Sequence, residues 1–204
     1  MNVATLLRAD IFSYPNVGSI KQREEIVSRL LEMKNSGISD INSLTNNENC
    51  WRLNNPVQDC TWLNDAVATI IHDAMKFYTE IPYSKIPIWD KDKSKFNIKS
   101  WANINEKYSR NVYHSHKSSM FSCVYYLQGT DTGNLILTNP ANILNDCSDF
   151  SPFTRDFLFK PKDGDLILWP SWIPHEVEMN LSDRQRINLV FDITLDTYPK
   201  YEKY

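Results

Sequence analysis

Three of the four histidines in the chain stand where a metal ion would want them. His114 and His116 are two apart in Tyr113-His114-Ser115-His116, and His175 follows roughly sixty residues later in Trp172-Ile173-Pro174-His175. In an extended segment, side chains at i and i+2 leave the same face. Two imidazoles would then point at one spot, and a third from a distant strand would close a triad. Neutral imidazole suits iron, zinc, copper and nickel. Three protein ligands leave open positions for water, dioxygen or substrate, as catalytic metals require. His72 stands alone on a helical segment and reads as structural.

Eleven residues after His175 comes Arg186, opening the run Arg186-Ile187-Asn188-Leu189-Val190-Phe191. In a strand, Arg186, Asn188 and Val190 share one face. A polar face on a central strand is unfavourable unless it meets something charged. The natural partner of a guanidinium is a carboxylate, gripped through its two-pronged fork. Two readings stay open for Arg186, an anion-binding site and a surface salt bridge. The neighbouring Arg184 reads as a salt bridge.

These residues need a scaffold, and its pattern changes partway along the chain. Ser19-Ile20-Lys21-Gln22 has the form of a capping box. Apolar positions follow at Ile26, Val27, Leu30, Leu31 and Met33, and Gly37 is a natural stop, which predicts a helix of about 15 residues. Leu63, Val67, Ile70, Ala74 and Phe77 predict a second helix over 61–79. Residues 35–60 are rich in Asn, Ser and Asp and read as a loop with short pieces of structure. Beyond 84, strands are expected at 85–89, 96–104, 111–116, 121–128, 134–138, 157–160, 165–170, 174–179 and 186–194. They are punctuated by Gly129, Gly133, Asn139-Pro140, Asp163-Gly164 and Ser182-Asp183. Many short strands without intervening helices indicate a β-sandwich or barrel. The expectation is one domain over 1–204: a helical N-terminal elaboration over 1–80 packed on a jelly-roll core over 81–204.

Composition narrows the function classes. The chain has 204 residues, of which 42% are hydrophobic and 12% aromatic, enough for a substantial core. A net charge of −3 with no basic block disfavours duplex nucleic acid as a partner. Cys50, Cys60, Cys123 and Cys147 form no CxxC pair, which points to a reducing, cytoplasmic setting. No apolar run approaches a membrane span, and the N-terminal apolar stretch is broken by Arg8 and Asp10.

With the histidines, Arg186 and the strand pattern in place, the chain resembles the 2-oxoglutarate/Fe(II)-dependent oxygenases. More narrowly, it is similar to a small group of bacterial and phage members with an HxH form of the metal motif. The resemblance runs over roughly 95–195. It is carried by Trp101-Ala102-Asn103-Ile104-Asn105, His114-Ser115-His116, Ser122-Cys123-Val124-Tyr125-Tyr126-Leu127, and Gly164 through His175 to Arg186. It implies a double-stranded β-helix, a cupin-like jelly roll. It further implies Fe(II) on His114, His116 and His175, and 2-oxoglutarate as co-substrate. The C5 carboxylate of 2-oxoglutarate would be held by Arg186 with Asn188 and Asn103. Dioxygen and an unknown substrate would be the other partners, and succinate and carbon dioxide the by-products of hydroxylation. Trp101, Tyr113, Tyr125, Trp169 and Trp172 are candidates to wall the cavity, although aromatics in such numbers more often build core.

The sequence departs from the family pattern twice. The acidic ligand of the usual triad is His116, which raises the charge of the site and should weaken its hold on Fe(II). Asp165 could approach from an adjacent strand, but His116 is taken as the third ligand. The usual Arg-x-Ser becomes Arg186-Ile187-Asn188, a mild change because an amide also donates. Three rivals follow from the three-histidine set: a thiol dioxygenase, a zinc hydratase or hydrolase, and a jelly-roll binding module without activity. The N-terminal helices offer a surface for a homodimer or for packing on the barrel.

Overall fold

Ser19 opens the first helix as its sequence predicts. Its hydroxyl accepts from the Gln22 backbone N–H, and the Gln22 side chain accepts from the Ser19 N–H, closing the box over α1 (Ile20–Asn35). The helix ends in a Schellman turn. Ile38 N–H reaches Met33 O, Gly37 N–H reaches Lys34 O, and Gly37 takes a φ of +75°, a region that suits a residue without Cβ. The second helix, α2, spans Thr61–Glu80 and buries Leu63, Val67, Ile70, Ile71, Ala74 and Met75. The computed structural model describes residues 9–40, 47–80, 95–116, 118–139 and 155–197. The strand expected at 85–89 and the Pro140 turn lie outside them.

The strands are β1 (Phe12–Tyr14), β2 (Asn47–Asn54), β3 (Lys95–His114), β4 (Phe121–Gln128), β5 (Leu135–Leu137), β6 (Phe157–Phe159), β7 (Leu166–Pro170), β8 (His175–Val177) and β9 (Arg186–Thr197). They form a mostly antiparallel jelly roll in the order β1-β7-β4-β9-β3-β8-β5-β6, with β2 paired on β3. β4 through β9 fall where the residue pattern expects them, within a few residues. β1 and β2 do not. β2 lies in the stretch read as a loop, because its Asn-rich ends have low strand propensity. Its pairing along β3, Arg52 opposite Asn103 and Asn54 opposite Trp101, overrides that preference.

The expected strands at 96–104 and 111–116 are one strand, β3, with a corner. Tyr108 takes a φ of +67°, uncommon for an aromatic residue, and there β3 changes partner from β9 to β8. The buried Asn180 holds the corner. Tyr108 N–H donates to Asn180 O at 2.7 Å, Asn180 N–H to Ser109 O at 2.9 Å, and the Asn180 amide to Arg184 O at 2.8 Å. Asn180→Ala keeps the two backbone bonds but strips the side-chain donor from Arg184 O and the acceptor from Ser182 N–H, and should lower stability by about 1–3 kcal/mol, read from urea unfolding midpoints.

The sheet separates two cores. On its outer face Phe121, Cys123, Tyr125, Leu127, Ile187 and Leu189 pack with both helices in one cluster. On its inner face Val124, Tyr126, Ile167, Trp169 and Val190 form a second. β4 is buried on both sides, which is why it reads as a continuous apolar run rather than an alternating one. No helix among the described residues is long and apolar enough to cross a membrane.

Candidate metal centre

Antiparallel register builds the inner face as a grid. On β2, β3 and β9, Cys50 stands opposite Asn105 and Asn105 opposite Arg186. In the next row come Arg52, Asn103 and Asn188, then Asn54, Trp101 and Val190. One row further, Lys99 faces Asp192. β4 continues the rows with Tyr126 beside Asn188, Val124 beside Val190 and Ser122 beside Asp192. This face lines a cavity of about 820 Å³ whose wall includes His114, His116, His175, Arg52, Trp101 and Asp192. The size lies within the usual range for small-molecule sites.

The three histidines meet at the rim. One ligand nitrogen from each of His114, His116 and His175 lies within 4.8 Å of the others. His114 and His175 face each other across the β3–β8 register, with ring centroids 4.2 Å apart. His116 arrives differently from the expectation. The strand ends at His114, and His116 is placed by the turn that follows, its N–H donating to Ser171 O at 3.0 Å. Its ring lies 5.1 Å from that of His114 and 5.2 Å from that of His175.

Hydrogen bonding fixes which nitrogens are left for a metal. The His114 Nδ1–H donates to Val112 O at 2.6 Å, and the His175 Nδ1–H to Ile173 O at 3.2 Å. The His116 Nδ1–H donates to the Asp192 carboxylate at 2.5 Å. Each acceptor is an oxygen that cannot donate, so each Nδ1 carries the proton and each Nε2 keeps its lone pair. Asp192 also accepts from the Ser122 hydroxyl at 3.1 Å. Residue patterns alone missed Asp192; the only signal was its place two residues beyond Val190, on the same strand face as Arg186 and Asn188.

Burial tunes these rings in the direction a metal needs. It pushes His175 down to about 3, with the positive charges of His114 and His116 adding to the effect. Burial likewise holds His114 below the usual histidine range. The unfolded chain thus binds more protons than the folded one once the pH drops below about 6.5. The stability these neutral rings contribute is fully present above 6.5 and is lost as the pH falls toward 3. Thermal melts of metal-free protein should show a falling midpoint across that window, with metal affinity falling in parallel because ligating imidazoles must be deprotonated.

Arg186 lies deeper, wholly buried at 0% exposure. One terminal nitrogen donates to Thr132 O at 2.7 Å and Glu178 O at 3.1 Å, and the other to Asn111 Oδ1 at 3.2 Å. Gly133 makes room: a Cβ there would meet Glu178 O at 2.7 Å. Among the described residues no carboxylate lies in ion-pair range of Arg186, and its Nε is buried without a partner. Arg186 is therefore not a surface salt bridge, whereas Arg184 is, to Asp163 at 2.5 Å. Arg186 stands just behind the cavity wall formed by Asn111, Tyr126 and Asn188. Asn188 Oδ1 accepts from the Asn103 amide at 3.1 Å, which joins the two expected assistants.

The other expectations divide. Trp101 and Trp169 line the cavity, the latter edge-on to His175 at 5.0 Å. Tyr113 and Trp172 are exposed, and Tyr125 points to the helical side, donating to Val17 O. Asp165 stays away from the histidines; its carboxylate accepts from Lys162 N–H at 2.8 Å. His72, on α2, is outside the site.

Against this geometry, comparison with known proteins is informative. A family model described as "Putative 2OG-Fe(II) oxygenase" matches residues 99–192, the stretch holding all three histidines and Arg186. That stretch is a little under half of the 204-residue chain, and it is similar to the 2OG-Fe(II) oxygenases. No curated protein matches the sequence. Among solved structures, a Pseudomonas putida prolyl-4-hydroxylase is similar in fold, at TM-score 0.62 and 12% identity over 90% of this chain and 91% of that one. So is a Trichoplax adhaerens prolyl hydroxylase in complex with a hypoxia inducible factor peptide fragment, at 0.62 and 14% over 90% and 83%. Streptomyces hygroscopicus HygX, with nickel and 2-oxoglutarate bound, follows at 0.57 and 12% over 94% and 83%. The chain thus shares the double-stranded β-helix fold of these structures, and Fe(II) and 2-oxoglutarate are the groups that the family similarity points to. Its donor set fits both: three imidazole lone pairs for the metal, and a buried guanidinium lacking a counter-ion for the dicarboxylate.

Proposed function

We propose that the protein is a 2-oxoglutarate oxygenase that hydroxylates a small organic substrate, with His114, His116 and His175 holding Fe(II) and Arg186 holding the C5 carboxylate of 2-oxoglutarate. The observation that carries this reading is the pairing of three oriented Nε2 lone pairs on the cavity wall with a buried, uncompensated arginine just behind it. A zinc hydratase or a thiol dioxygenase would leave Arg186 without an anion, which favours the 2-oxoglutarate reading over both.

When bound, Fe(II) and 2-oxoglutarate supply the oxidising power: one oxygen atom of dioxygen enters the substrate C–H bond and the other enters succinate, with release of carbon dioxide. The chain contributes geometry. Val112, Ile173 and Asp192 lock the three imidazoles in one tautomer. Tyr126, whose buried hydroxyl is pushed above its ordinary pKa, faces Arg186 as a neutral donor beside the same carboxylate site. Asn188 and Asn103 extend that polar floor, while Trp101, Trp169 and Val190 keep the middle of the cavity apolar.

Two assays together test the reading. Oxygen uptake by Fe(II)-loaded protein should depend on 2-oxoglutarate and yield succinate, even uncoupled from substrate. A thermal-shift series should show Mn(II) raising the melting temperature and 2-oxoglutarate raising it further only when Mn(II) is present. Stabilisation by Zn(II) with none from 2-oxoglutarate would overturn it.

A further inference from the structure

The cavity holds a second arginine that the metal and the co-substrate leave unused. Arg52 lies on β2, outside the segment matched by the family model, and lines the cavity wall. Its guanidinium lies over the Trp101 ring, 4.4 Å from the centroid, and Trp101 in turn stacks on His116 at 5.8 Å and 24°. The guanidinium is thus no more than about 10 Å from the ring of a proposed metal ligand. Arg52 Nε is buried without a partner, and among the described residues no carboxylate is in ion-pair range of its terminal nitrogens. Among the described lining residues the acidic group is Asp192, and it is committed to His116 and Ser122. Lys99, also among the lining residues, stands opposite Asp192.

Arg52 lines the cavity, whereas Arg186 lies behind its wall with its terminal nitrogens donating to Thr132 O, Glu178 O and Asn111 Oδ1. The two arginines sit two strands and one two-residue step apart on the grid, which separates their Cα atoms by about 12 Å. A 2-oxoglutarate molecule anchored on Arg186 spends its other carboxylate on the metal. A half-buried guanidinium held over an aromatic ring is pre-organised to pair with a planar or tetrahedral oxyanion.

We propose that Arg52 is a specificity residue that binds an oxyanion, a carboxylate or phosphate, carried by the substrate, with Trp101 as its platform. The substrate class is then a small acid whose oxidised carbon lies within about 10 Å of that anion, the span from Arg52 to the His116 ring. This rests on the reading of the site given above and goes beyond it by naming what the substrate must carry.

The test is calorimetric titration of protein saturated with Mn(II) and 2-oxoglutarate, using benzoate, phenyl phosphate and benzamide as probes. The first step, 2-oxoglutarate into the Mn(II) form, reports on the function reading alone and should saturate at one per chain in wild type and in R52Q. In the second step, benzoate or phenyl phosphate should bind wild type while benzamide does not, and the tighter of the two acids identifies the anion. R52Q should lose that binding by at least tenfold, and R52K should retain part of it. Equal binding of acid and amide, no binding of either acid, or an R52Q protein that binds acids as wild type does would overturn the proposal. Loss of 2-oxoglutarate in R52Q would also overturn it, by assigning Arg52 to the co-substrate.

Discussion

Arg186→Met should raise the dissociation constant for 2-oxoglutarate by at least about 100-fold while metal still binds. The reasoning is electrostatic. Arg186 is fully buried, and its charge has no counter-ion among the described residues. A carboxylate arriving at that position completes a desolvated ion pair, and removing one partner of such a pair typically costs about 3–5 kcal/mol. The substitution also strips donors from Thr132 O and Glu178 O, so some loss of stability is expected as well. Arg186→Lys separates the two effects. It keeps the charge but lacks the fork, and should bind 2-oxoglutarate better than the methionine variant yet clearly worse than wild type. Anaerobic titration of 2-oxoglutarate into Mn(II)-loaded protein, beside a Mn(II) titration alone, reads both quantities. Near-normal affinity in the methionine variant would remove Arg186 from the site.

Asp192→Asn should weaken metal binding by about 10–100-fold, the usual consequence of losing the group that orients a ligating histidine. Asp192 has a particular part in this site. The facial triad's usual carboxylate is replaced by His116, yet a carboxylate lies 2.5 Å behind that ring. The negative charge has moved one residue outward rather than vanished, and it holds the ring with Nε2 free for a metal. A double-mutant cycle makes this quantitative. His116→Asp should preserve Fe(II) binding by restoring a carboxylate ligand directly. In that background Asp192 faces another carboxylate instead of an imidazole, so Asp192→Asn should become neutral or favourable. If Asp192→Asn weakens metal binding equally in both backgrounds, the carboxylate is not acting through His116.

Much of this arrangement was legible in the residues because strand alternation is a strict code. The alternation of Arg186, Asn188 and Val190 predicted a shared face; Asn188 and Val190 line the cavity, and Arg186 stands just behind its wall. The capping box of α1 and the apolar stripe of α2 were equally local, and so equally readable. What could not be read depended on partners distant in sequence. β2 is a strand because β3 lies beside it, and its alternation of Trp51 and Leu53 with Arg52 and Asn54 was hidden among asparagines. The unity of β3 rests on Asn180 closing a corner from the other end of the chain. His116 reached the triad through a turn rather than a strand, so the HxH spacing pointed to the right convergence by a local geometry it did not foresee. On the residue pattern Asp165 could approach from an adjacent strand, with His116 preferred as the ligand; the carboxylate that lies beside His116 is Asp192, a register partner of Ser122 and Lys99.

The most direct test of the centre is an anaerobic Fe(II) titration in the presence of 2-oxoglutarate, following the visible charge-transfer band of the chelated metal in wild type and in His114→Ala, His116→Ala and His175→Ala. One Fe(II) per chain with a saturating band in wild type, and loss of that band in each folded single variant, is the expected result. Undiminished Fe(II) binding in all three variants, or no saturable binding in wild type, would contradict a metal held by these three imidazoles.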